Sequence, residues 1–242
     1  MKIYSCTDRG KIREINEDSV YASESDQLYI VADGMGGYFG GEIASQLAVE
    51  TLSTCIKNCE EVDRAILLEG FTLANRTIFE TAQNKEQKLM GTTTSLLYIE
   101  SSCKSGWIGH IGDSRIYRVR ESSLEQLTKD HSYVEELIDA GKITREEAFS
   151  HPNRNIITRA LGTHAQAEAD LIQFPVQIKD LFLLCSDGLS NKLPFKDLES
   201  ILISENSLEK KGKELLKEAL LRGGEDNISL VLVEIGETGV KA

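Results

Sequence analysis

Strand-like and helix-like patterns are segregated along this chain, and their order limits the folds that it can adopt. Three short apolar patterns typical of strands, at residues 3–6, 19–22 and 27–32, precede two stripes of apolar residues at helical spacing, at 42–57 and 62–82. The connection between the two stripes is too short for a crossover through a strand, so we expect an antiparallel helical hairpin.

The rest of the chain repeats this order of strands followed by a helix pair. Strands are predicted at 92–100, 104–111 and 114–120, and the short turns between them indicate an antiparallel meander. Residues 132–161 hold short helical pieces and many polar side chains, which predicts an insertion over one edge of the fold. Beyond this insertion the patterns predict strands at 169–176, 180–186 and 227–235 and helices at 195–203 and 208–222.

This segregation favours the α+β class, with antiparallel sheets covered by helix pairs, because regular βαβ alternation would give a parallel sheet. The chain has 242 residues, of which 40% are hydrophobic. A chain of this size buries enough surface to form one core without disulfides or structural metals. We therefore expect a single domain over residues 1–242, with the insertion at about 132–161 as part of it; two smaller domains are the alternative.

The charge balance excludes several classes of partner. The chain carries 27 Lys and Arg against 39 Asp and Glu, a net charge of −12, and its pI is about 4.9. Nucleic-acid binding is not expected, because it needs a basic face and the sequence has no basic run. We also expect no membrane span, because no apolar stretch reaches the roughly 18 residues required. With no secretory signal at its start, the protein is expected to be cytoplasmic.

Five cysteines, an odd number scattered along the chain, are expected to be reduced thiols rather than a disulfide framework. Cys55 and Cys59 are interpreted as core residues, because no His or Cys pair lies near them in sequence to complete a zinc site. The glycines after Asp33 do not fit a nucleotide-binding loop, since no βαβ unit surrounds them and no Lys-Ser or Lys-Thr pair follows.

Four aspartates share one local context, at the junction of an apolar strand and a glycine-permitting loop. Asp33 opens DGMGG, Asp113 stands in GDSR, Asp187 opens DGLS and Asp226 precedes the last strand in GGEDNIS. A turn explains any one of them, because Asp-Gly is a common turn dipeptide. Four carboxylates at one sheet edge would repel each other unless a cation held them. The pattern therefore predicts a site for Mg²⁺ or Mn²⁺ rather than for Zn²⁺, which prefers His and Cys.

Arg13, in the segment KIREINED, is the remaining polar candidate. A solvated turn charge is the simpler interpretation of this segment alone. Beside a cluster of carboxylates, a guanidinium can bind a phosphate group through two hydrogen bonds. The combination points to phosphate chemistry.

The motifs KIREINED, VADGMGG with GGEIAS, MGTT, GDSR, LTKDHS, ITRALG, CSDGLS and GGEDNIS follow one another from Asp8 to Ser229. This series resembles the metal-dependent protein Ser/Thr phosphatases of type 2C, and most closely their compact bacterial members. The resemblance implies a four-layer α/β/β/α sandwich, in which two antiparallel β-sheets each carry an antiparallel helix pair outside. It also equates residues 132–161 with the flap of that family.

The resemblance further implies a set of metal ligands. Asp33 would bridge two divalent ions, Mn²⁺ or Mg²⁺. Asp187 and Asp226 would complete the first site, and the carbonyl of Gly34 the second. Asp18 would act through metal-bound water. Asp113, together with Asp187, would hold a third and weaker ion.

The implied reaction is attack on phosphorus by a water that bridges the two ions, without a phosphoenzyme, and Arg13 would bind the phosphate. Animal relatives have a His directly after Asp-Gly, and many bacterial relatives have a His after DGMGG, whereas this chain has Met35 and Tyr38. The proton donor to the leaving group is therefore not assigned to a side chain, neither to Tyr38 nor to His131, and a metal-bound water would serve.

The leading hypothesis is a phosphatase that acts on phosphoserine and phosphothreonine in proteins. Its expected partners are phosphorylated proteins, including a bacterial Ser/Thr kinase and that kinase's substrates, and we expect a monomer. A second class stays open: a pseudophosphatase that only binds phosphoproteins, or a regulatory phosphatase with one dedicated partner. The presence of Asp33, Asp187, Asp226 and Arg13 favours the enzyme, because a pure binder is free to lose them.

Overall fold

The structure is a computed structural model that describes residues 1–36, 40–57, 59, 61–84 and 90–236. Its strands are β1 (Lys2–Asp8), β2 (Asp18–Ser23), β3 (Leu28–Met35), β4 (Gly91–Thr92), β5 (Thr94–Ile99), β6 (Ser105–Ile111), β7 (Arg115–Arg120), β8 (Ser123–Gln126), β9 (Asp170–Pro175), β10 (Leu181–Cys185) and β11 (Ile228–Glu234). Its helices are α1 (Gly40–Lys57), α2 (Arg64–Asn84), α3 (Tyr133–Asp139), α4 (Arg145–Phe149), α5 (Asp187–Ser190), α6 (Phe195–Ile203) and α7 (Leu208–Leu221).

The strands form two antiparallel sheets. The first has the order β1-β11-β10-β7-β8, and the second has the order β2-β3-β5-β6-β9, with β4 beside the end of β3. Helices α1 and α2 pack on each other and cover the second sheet, while α6 and α7 cover the first. The predicted α+β class and the α/β/β/α layering are therefore confirmed.

The central strand β3 shows why its sequence is apolar at nearly every position. Leu28 and Ile30 belong to the core beneath α1 and α2, whereas Tyr29 and Val31 belong to the core between the two sheets. All four side chains are fully buried. A slip of one residue in register would exchange the two sets of side chains between layers of different shape, so the register is strongly specified. The fixed register places the end of β3 at the edge where the acidic residues lie.

The predicted meander of three strands is wrong. Strands β5 and β6 pair with each other, but β7 crosses to the first sheet, where it lies between β10 and β8. The crossing occurs in the turn at residues 112–114, where Gly112 has φ +107°, a backbone conformation that favours glycine. Strand periodicity indicates that a segment is extended and half-buried, but it does not specify which sheet the segment joins.

Several local predictions also differ from the structure. The single strand predicted at 92–100 is interrupted at Thr93, which separates β4 from β5. Strand β8 and the four-residue helix α5 were not predicted, because segments this short carry too little periodicity. The helical pieces predicted within 132–161 are present as α3 and α4, and the side chains of Ser132 and Thr144 cap their N-termini.

The structure bears on two further predictions from the sequence, for the state of the thiols and for membrane-spanning helices. All five cysteines are free, with Cys185 fully buried in β10 and the others half-buried. Cys59 packs against the core beneath α1 and α2, and its thiol donates to the carbonyl of Cys55 at 3.2 Å. Within the described part of the chain, every helix is too short or too polar to cross a bilayer.

Candidate metal centre

Five aspartates come together at one edge where the two sheets meet. Asp18 begins β2 and is the register partner of Asp33 in β3. From the other sheet, Asp187 lies just beyond the end of β10 and Asp226 just before β11, two strands that pair with each other. Asp113 stands in the turn after β6. Their negative charges raise the pKa values of Asp18, Asp33, Asp113 and Asp187, and the charge of Asp226 contributes to the shifts of Asp18, Asp33 and Asp187, so the five residues lie near one another.

Asp33 lies within a strand, whereas the sequence places it in a loop. Strand β3 continues to Met35 because its end pairs with β4, with Gly34 opposite Thr92. The backbone of Asp33 is held by three hydrogen bonds: its N–H donates to Thr93 Oγ1 at 3.2 Å, and its carbonyl accepts from Thr93 N–H and Thr92 Oγ1, each at 2.9 Å. The carboxylate therefore projects from a rigid element, which suits a ligand that must hold its position.

Gly34 occupies a position with no room for a side chain. A Cβ atom there would lie 2.1 Å from the carbonyl oxygen of Gly41 and 2.5 Å from that of Glu17. The N–H of Gly34 donates to the same Glu17 carbonyl at 3.1 Å. The backbone of Gly34 is thus packed between the start of α1 and the segment before β2.

Asp18 is buried, and only one of its two carboxylate oxygens accepts a hydrogen bond from the described residues. Its Oδ2 accepts a hydrogen bond from Ser186 Oγ at 2.8 Å, and that hydroxyl in turn accepts from the Ser229 N–H at 3.0 Å. Its Oδ1 is buried without a hydrogen-bond partner among the described residues. Burial, together with the charges of Asp187 and Asp226, raises the pKa of Asp18 to about 7.

Asp187 and Asp113 extend the cluster towards residues 132–161. Asp187 is the first residue of α5 rather than part of a loop, and Asn191 donates from Nδ2 to its Oδ2 at 3.0 Å. Burial and the charge of Asp226 raise the pKa of Asp187 to about 6. Asp113 is buried, and this burial together with the charge of Asp187 raises its pKa well above the ordinary value.

Arg13 is placed beside the cluster by its contact with Asp226. Its Nη2 donates to Asp226 Oδ2 at 2.9 Å, while the other carboxylate oxygen accepts from the Asn227 N–H, also at 2.9 Å. The Asn227 side chain donates to the carbonyls of Arg9 and Ile15, which fixes the loop that carries Arg13. The Arg13 side chain is 48% exposed, so its guanidinium is accessible from solvent.

Sequence reasoning missed the polar residues that hold these acids in place. They are Glu17, Thr93, Ser186, Asn191 and Asn227. Glu17, Ser186 and Asn227 each adjoin a predicted acid in sequence, and that adjacency is the one signal that could have found them. The other two, Thr93 and Asn191, are residue types that turns and caps near strand ends also use.

The donor set fits a hard divalent cation. Besides Asp18 Oδ1, the Glu17 Oε1 atom is buried without a partner in the described residues, so the region holds carboxylate oxygens that lack hydrogen bonds. Burial raises the pKa values of Asp33 and Asp113, and neighbouring carboxylates raise them further. Cations relieve this repulsion, and oxygen-only ligands suit Mg²⁺ or Mn²⁺.

The spacing of the acidic side chains is the next feature of this centre. Across the described ranges, no three His, Cys, Asp or Glu side chains form a group ready to hold a metal. The acids are neighbours in pairs instead, with Asp18 opposite Asp33 on one sheet and with the charge of Asp187, from the other sheet, raising the pKa of Asp33. A divalent cation at this place would offset the repulsion between these carboxylates.

Neither Met35 nor His131 provides a proton donor to the leaving group in this arrangement. Met35 ends β3 and has no proton to give. Tyr38 lies outside the described residues. His131 contacts the backbone of Gly112 and the side chain of Asp170 rather than an acid of the cluster.

Comparison with known proteins agrees with this geometry. A family model described as protein phosphatase 2C matches residues 9–221. The chain belongs to the protein phosphatase 2C family. The resemblance read from its motifs is therefore confirmed, and so is the fold that this resemblance implied.

Two relatives show how far the similarity to other phosphatases of this family extends. The serine/threonine phosphatase stp of Listeria welshimeri is 41% identical over 237 residues, which cover 94% of this chain and 93% of that protein. A crystal structure of the Mycobacterium tuberculosis serine/threonine phosphatase PstP matches with a TM-score of 0.91 and 36% identity, over 98% of this chain and 99% of that one.

A second similar structure contains metal ions. The catalytic domain of PstP in complex with two manganese ions matches with a TM-score of 0.89 and 34% identity, over 98% of each chain.

Proposed function

We propose that this member of the protein phosphatase 2C family is a serine/threonine protein phosphatase that hydrolyses phosphoserine and phosphothreonine monoesters with two divalent ions, Mn²⁺ or Mg²⁺. The observation that carries the proposal is the meeting of Asp33, Asp187 and Asp226 with Arg13 at one sheet edge. Named serine/threonine phosphatases at about 40% identity, and a two-manganese structure of the same fold, support it.

Each acid in the cluster is assigned a place. Asp33 would contact both ions, with Asp187 and Asp226 at the first, the Gly34 carbonyl at the second, Asp18 acting through water, and Asp113 with Asp187 at a third, weaker site. The two ions, when bound, supply an activated water and neutralise the phosphoryl oxygens. The position of Asp33 between Asp18 on its own sheet and Asp187 on the other supports its central role.

The protein's own residues supply binding and charge. Arg13 offers a planar guanidinium that is half exposed, and such a group can hold two phosphate oxygens. The Arg13–Asp226 contact orients this guanidinium next to the acids, so a phosphate held there is delivered to the cluster. Protons on the buried carboxyls must leave when ions bind, because the ligands act as carboxylates.

We further infer that the chain acts as a monomeric, cytoplasmic enzyme with one domain over residues 1–242, and that its substrates are the products of a Ser/Thr protein kinase. Residues 132–161 form the flap of this domain. In support of that position, α3 and α4 line a cavity of about 1200 Å³ that reaches Asp113 and Asn191. A segment of substrate protein would have room there beside the metal centre.

The test is hydrolysis of a phosphothreonine peptide by the purified protein with EDTA, Mg²⁺ or Mn²⁺, and with Asp187→Asn as a matched variant. We expect the wild type to turn over the peptide only with added metal. We expect the Asp187→Asn variant to keep its fold and to lose turnover. If the folded wild-type protein binds the peptide without turnover in either metal, the chain is the phosphoprotein-binding pseudophosphatase. Turnover in EDTA, or an Asp187→Asn variant with wild-type activity, would contradict the metal assignment.

A further inference from the structure

His131 joins the base of the flap to the turn that carries Asp113. The backbone N–H of His131 donates to the Gly112 carbonyl at 2.7 Å, and the Gly112 N–H donates to His131 Nδ1 at 3.2 Å. These two hydrogen bonds engage both the carbonyl and the N–H of Gly112. The residue after Gly112 is Asp113, so the position of its carboxylate depends on how this turn is held.

The turn at Gly112 is also restricted by its own backbone conformation and by close contact with Thr93. Gly112 has φ +107°, and a Cβ atom there would lie 2.4 Å from Thr93 Cβ. On this side the Thr93 and Ser114 hydroxyl oxygens are 2.7 Å apart in a hydrogen bond, and Thr93 also accepts from the Asp33 N–H. Thr93 therefore ties the turn to Asp33 on one side, and His131 holds it on the other.

His131 is itself fixed by groups from the flap and from β9. Its Nε2 lies 3.2 Å from Asp170 Oδ2, and Arg159 Nη1 lies 3.4 Å from the same nitrogen and from Asp170 Oδ1. The Thr158 N–H donates to the His131 carbonyl at 2.8 Å. The residue is only 7% exposed. A buried ring with this many contacts holds one orientation.

These bonds exclude a simple role in proton transfer. Because Nδ1 accepts from the Gly112 N–H, it carries no proton, and the proton on Nε2 points to Asp170. Both ring nitrogens are occupied by protein groups, and neither faces the acidic cluster. The imidazole serves as an acceptor for one particular backbone N–H.

We propose that His131 is a positioning residue that fixes the Asp113 carboxylate for the third metal site by hydrogen-bonding the Gly112 backbone. This inference rests on the proposed function, since a site at Asp113 has a purpose only in a metal-dependent enzyme. If His131 has this role, the start of the flap contributes to the metal centre. The isolated β-bridge between Ser132 and Ile157 and the hydrogen bond from the Thr158 N–H connect the rest of the flap to His131.

Two substitutions separate the two bonds of the ring. In His131→Asn the amide oxygen occupies the place of Nδ1 and can accept from Gly112, while the contact with Asp170 is lost. In His131→Gln the amide nitrogen reaches the place of Nε2 and keeps the contact with Asp170, while the acceptor for Gly112 is lost. His164→Gln, at an exposed histidine, is the control for the substitution itself.

The first measurement is amide hydrogen exchange of Gly112 by NMR in the metal-free protein. We expect exchange in His131→Gln to be faster by about fivefold or more, the ratio that one hydrogen bond supports. His131→Asn should stay within about twofold of the wild type. Equal acceleration in both variants would mean that the ring only fills space, and wild-type exchange in His131→Gln would mean that the bond has no effect; either result overturns the proposal.

The second measurement is Mn²⁺ binding, followed by electron paramagnetic resonance, with the Mn²⁺ dependence of phosphopeptide turnover beside it. His131→Gln should weaken the weakest Mn²⁺ site by about fivefold and leave the tighter sites unchanged, and His131→Asn should restore it. In an Asp113→Ala background, His131→Gln should have no further effect on Mn²⁺ binding. A further loss in that background would overturn the proposal, because His131 would then act elsewhere.

The two proposals fail in distinguishable ways. If the wild-type protein does not hydrolyse phosphopeptides, the proposed function is wrong, while the Gly112 exchange still reports whether His131 holds the turn. If turnover depends on metal but the histidine variants match the wild type in exchange and in Mn²⁺ binding, only the positioning role is wrong.

Discussion

Asp18 lies directly opposite Asp33 across the pair of strands β2 and β3. Like charges at facing positions of a strand pair destabilise the sheet, and here Asp187 and Asp226 add further negative charge from the other sheet. Such an arrangement is unfavourable for folding alone. It is favourable for holding cations, so stability and function should respond in opposite directions to the loss of a carboxylate.

Asp33→Asn should therefore stabilise the metal-free protein and abolish its activity. The substitution removes a buried carboxyl group whose ionisation is opposed by burial and by four neighbouring acids. A gain of about 1 kcal/mol corresponds to a rise in Tm of about 2–4 °C for a chain of this size, and we expect turnover to fall more than about 100-fold. Calorimetry in EDTA and phosphopeptide kinetics in Mn²⁺ measure the two effects.

The control for this variant is Glu209→Gln, which removes an exposed carboxylate paired with Lys213 on α7. Exposed ion pairs contribute little, so its Tm should change by less than about 2 °C and its activity should be unchanged. A drop in Tm for Asp33→Asn in EDTA would show that the carboxylate is not destabilising, and would contradict the electrostatic account.

The pH dependence of stability should show the raised pKa of Asp18. With a folded-state pKa of about 7 against an ordinary value of 3.8, the folded protein holds this proton between those two pH values while the unfolded chain does not. Lowering the pH from 8 to 5 in EDTA should therefore stabilise the wild type relative to Asp18→Asn. Urea denaturation at several pH values measures this difference, and a difference that stays constant across the range would refute the prediction.

The sequence was informative about the acids because their context is local. Asp113 and Asp187 each stand where an apolar strand pattern stops and Asp226 stands where one begins, and the register of that pattern fixes the side chain's direction. Asp33 was recognised for the same reason, although it lies inside β3. Its strand is lengthened by pairing with β4, about sixty residues further along the chain, and no local pattern contains that information.

Several features that the sequence did not reveal depend on contacts between separate segments. Strand β7 leaves the predicted meander because it pairs with β10, and Asn227 holds the loop of Arg13 through bonds to Arg9 and Ile15. His131 has the same character, since the positioning role proposed for it depends on the contact between its ring and the turn at Gly112. Periodicity describes burial and local conformation, whereas these partners are set by the topology.

Replacement of Arg13 should affect substrate affinity more than folding. The side chain is 48% exposed, so its ion pair with Asp226 contributes little to stability, and the Tm of Arg13→Ala should change by less than about 3 °C. For a phosphothreonine peptide we expect KM to rise about tenfold or more, because charge-assisted hydrogen bonds to phosphate are lost. Steady-state kinetics at saturating Mn²⁺ measures this change.

Arg13→Lys is the informative comparison for the same experiment. A lysine keeps the charge but cannot form two parallel hydrogen bonds, so its KM should fall between those of the wild type and Arg13→Ala. If the alanine variant keeps the wild-type KM, Arg13 does not bind the phosphate and serves only as a partner for Asp226.

His110 should make the protein sensitive to mild acid. Its ring is fully buried, with Nε2 donating to the Lys129 carbonyl at 3.0 Å and Nδ1 3.0 Å from Ser95 Oγ. Burial, with the nearby ring of His131, lowers its pKa from 6.5 to about 4. Between these values the unfolded chain binds a proton that the folded protein does not, so stability falls as the pH drops from 6.5 to 4.

The size and origin of this loss can be isolated with His110→Gln, which keeps a donor for the Lys129 carbonyl and has no group that titrates in this range. From pH 7 to pH 4, the wild type should lose on the order of 3 kcal/mol of unfolding free energy relative to the variant. Subtracting the unfolding free energy of the variant from that of the wild type at each pH removes the opposite contribution of Asp18, which is common to both proteins. Parallel curves over this range would show that the folded protein accommodates a protonated His110, and that burial does not control its titration.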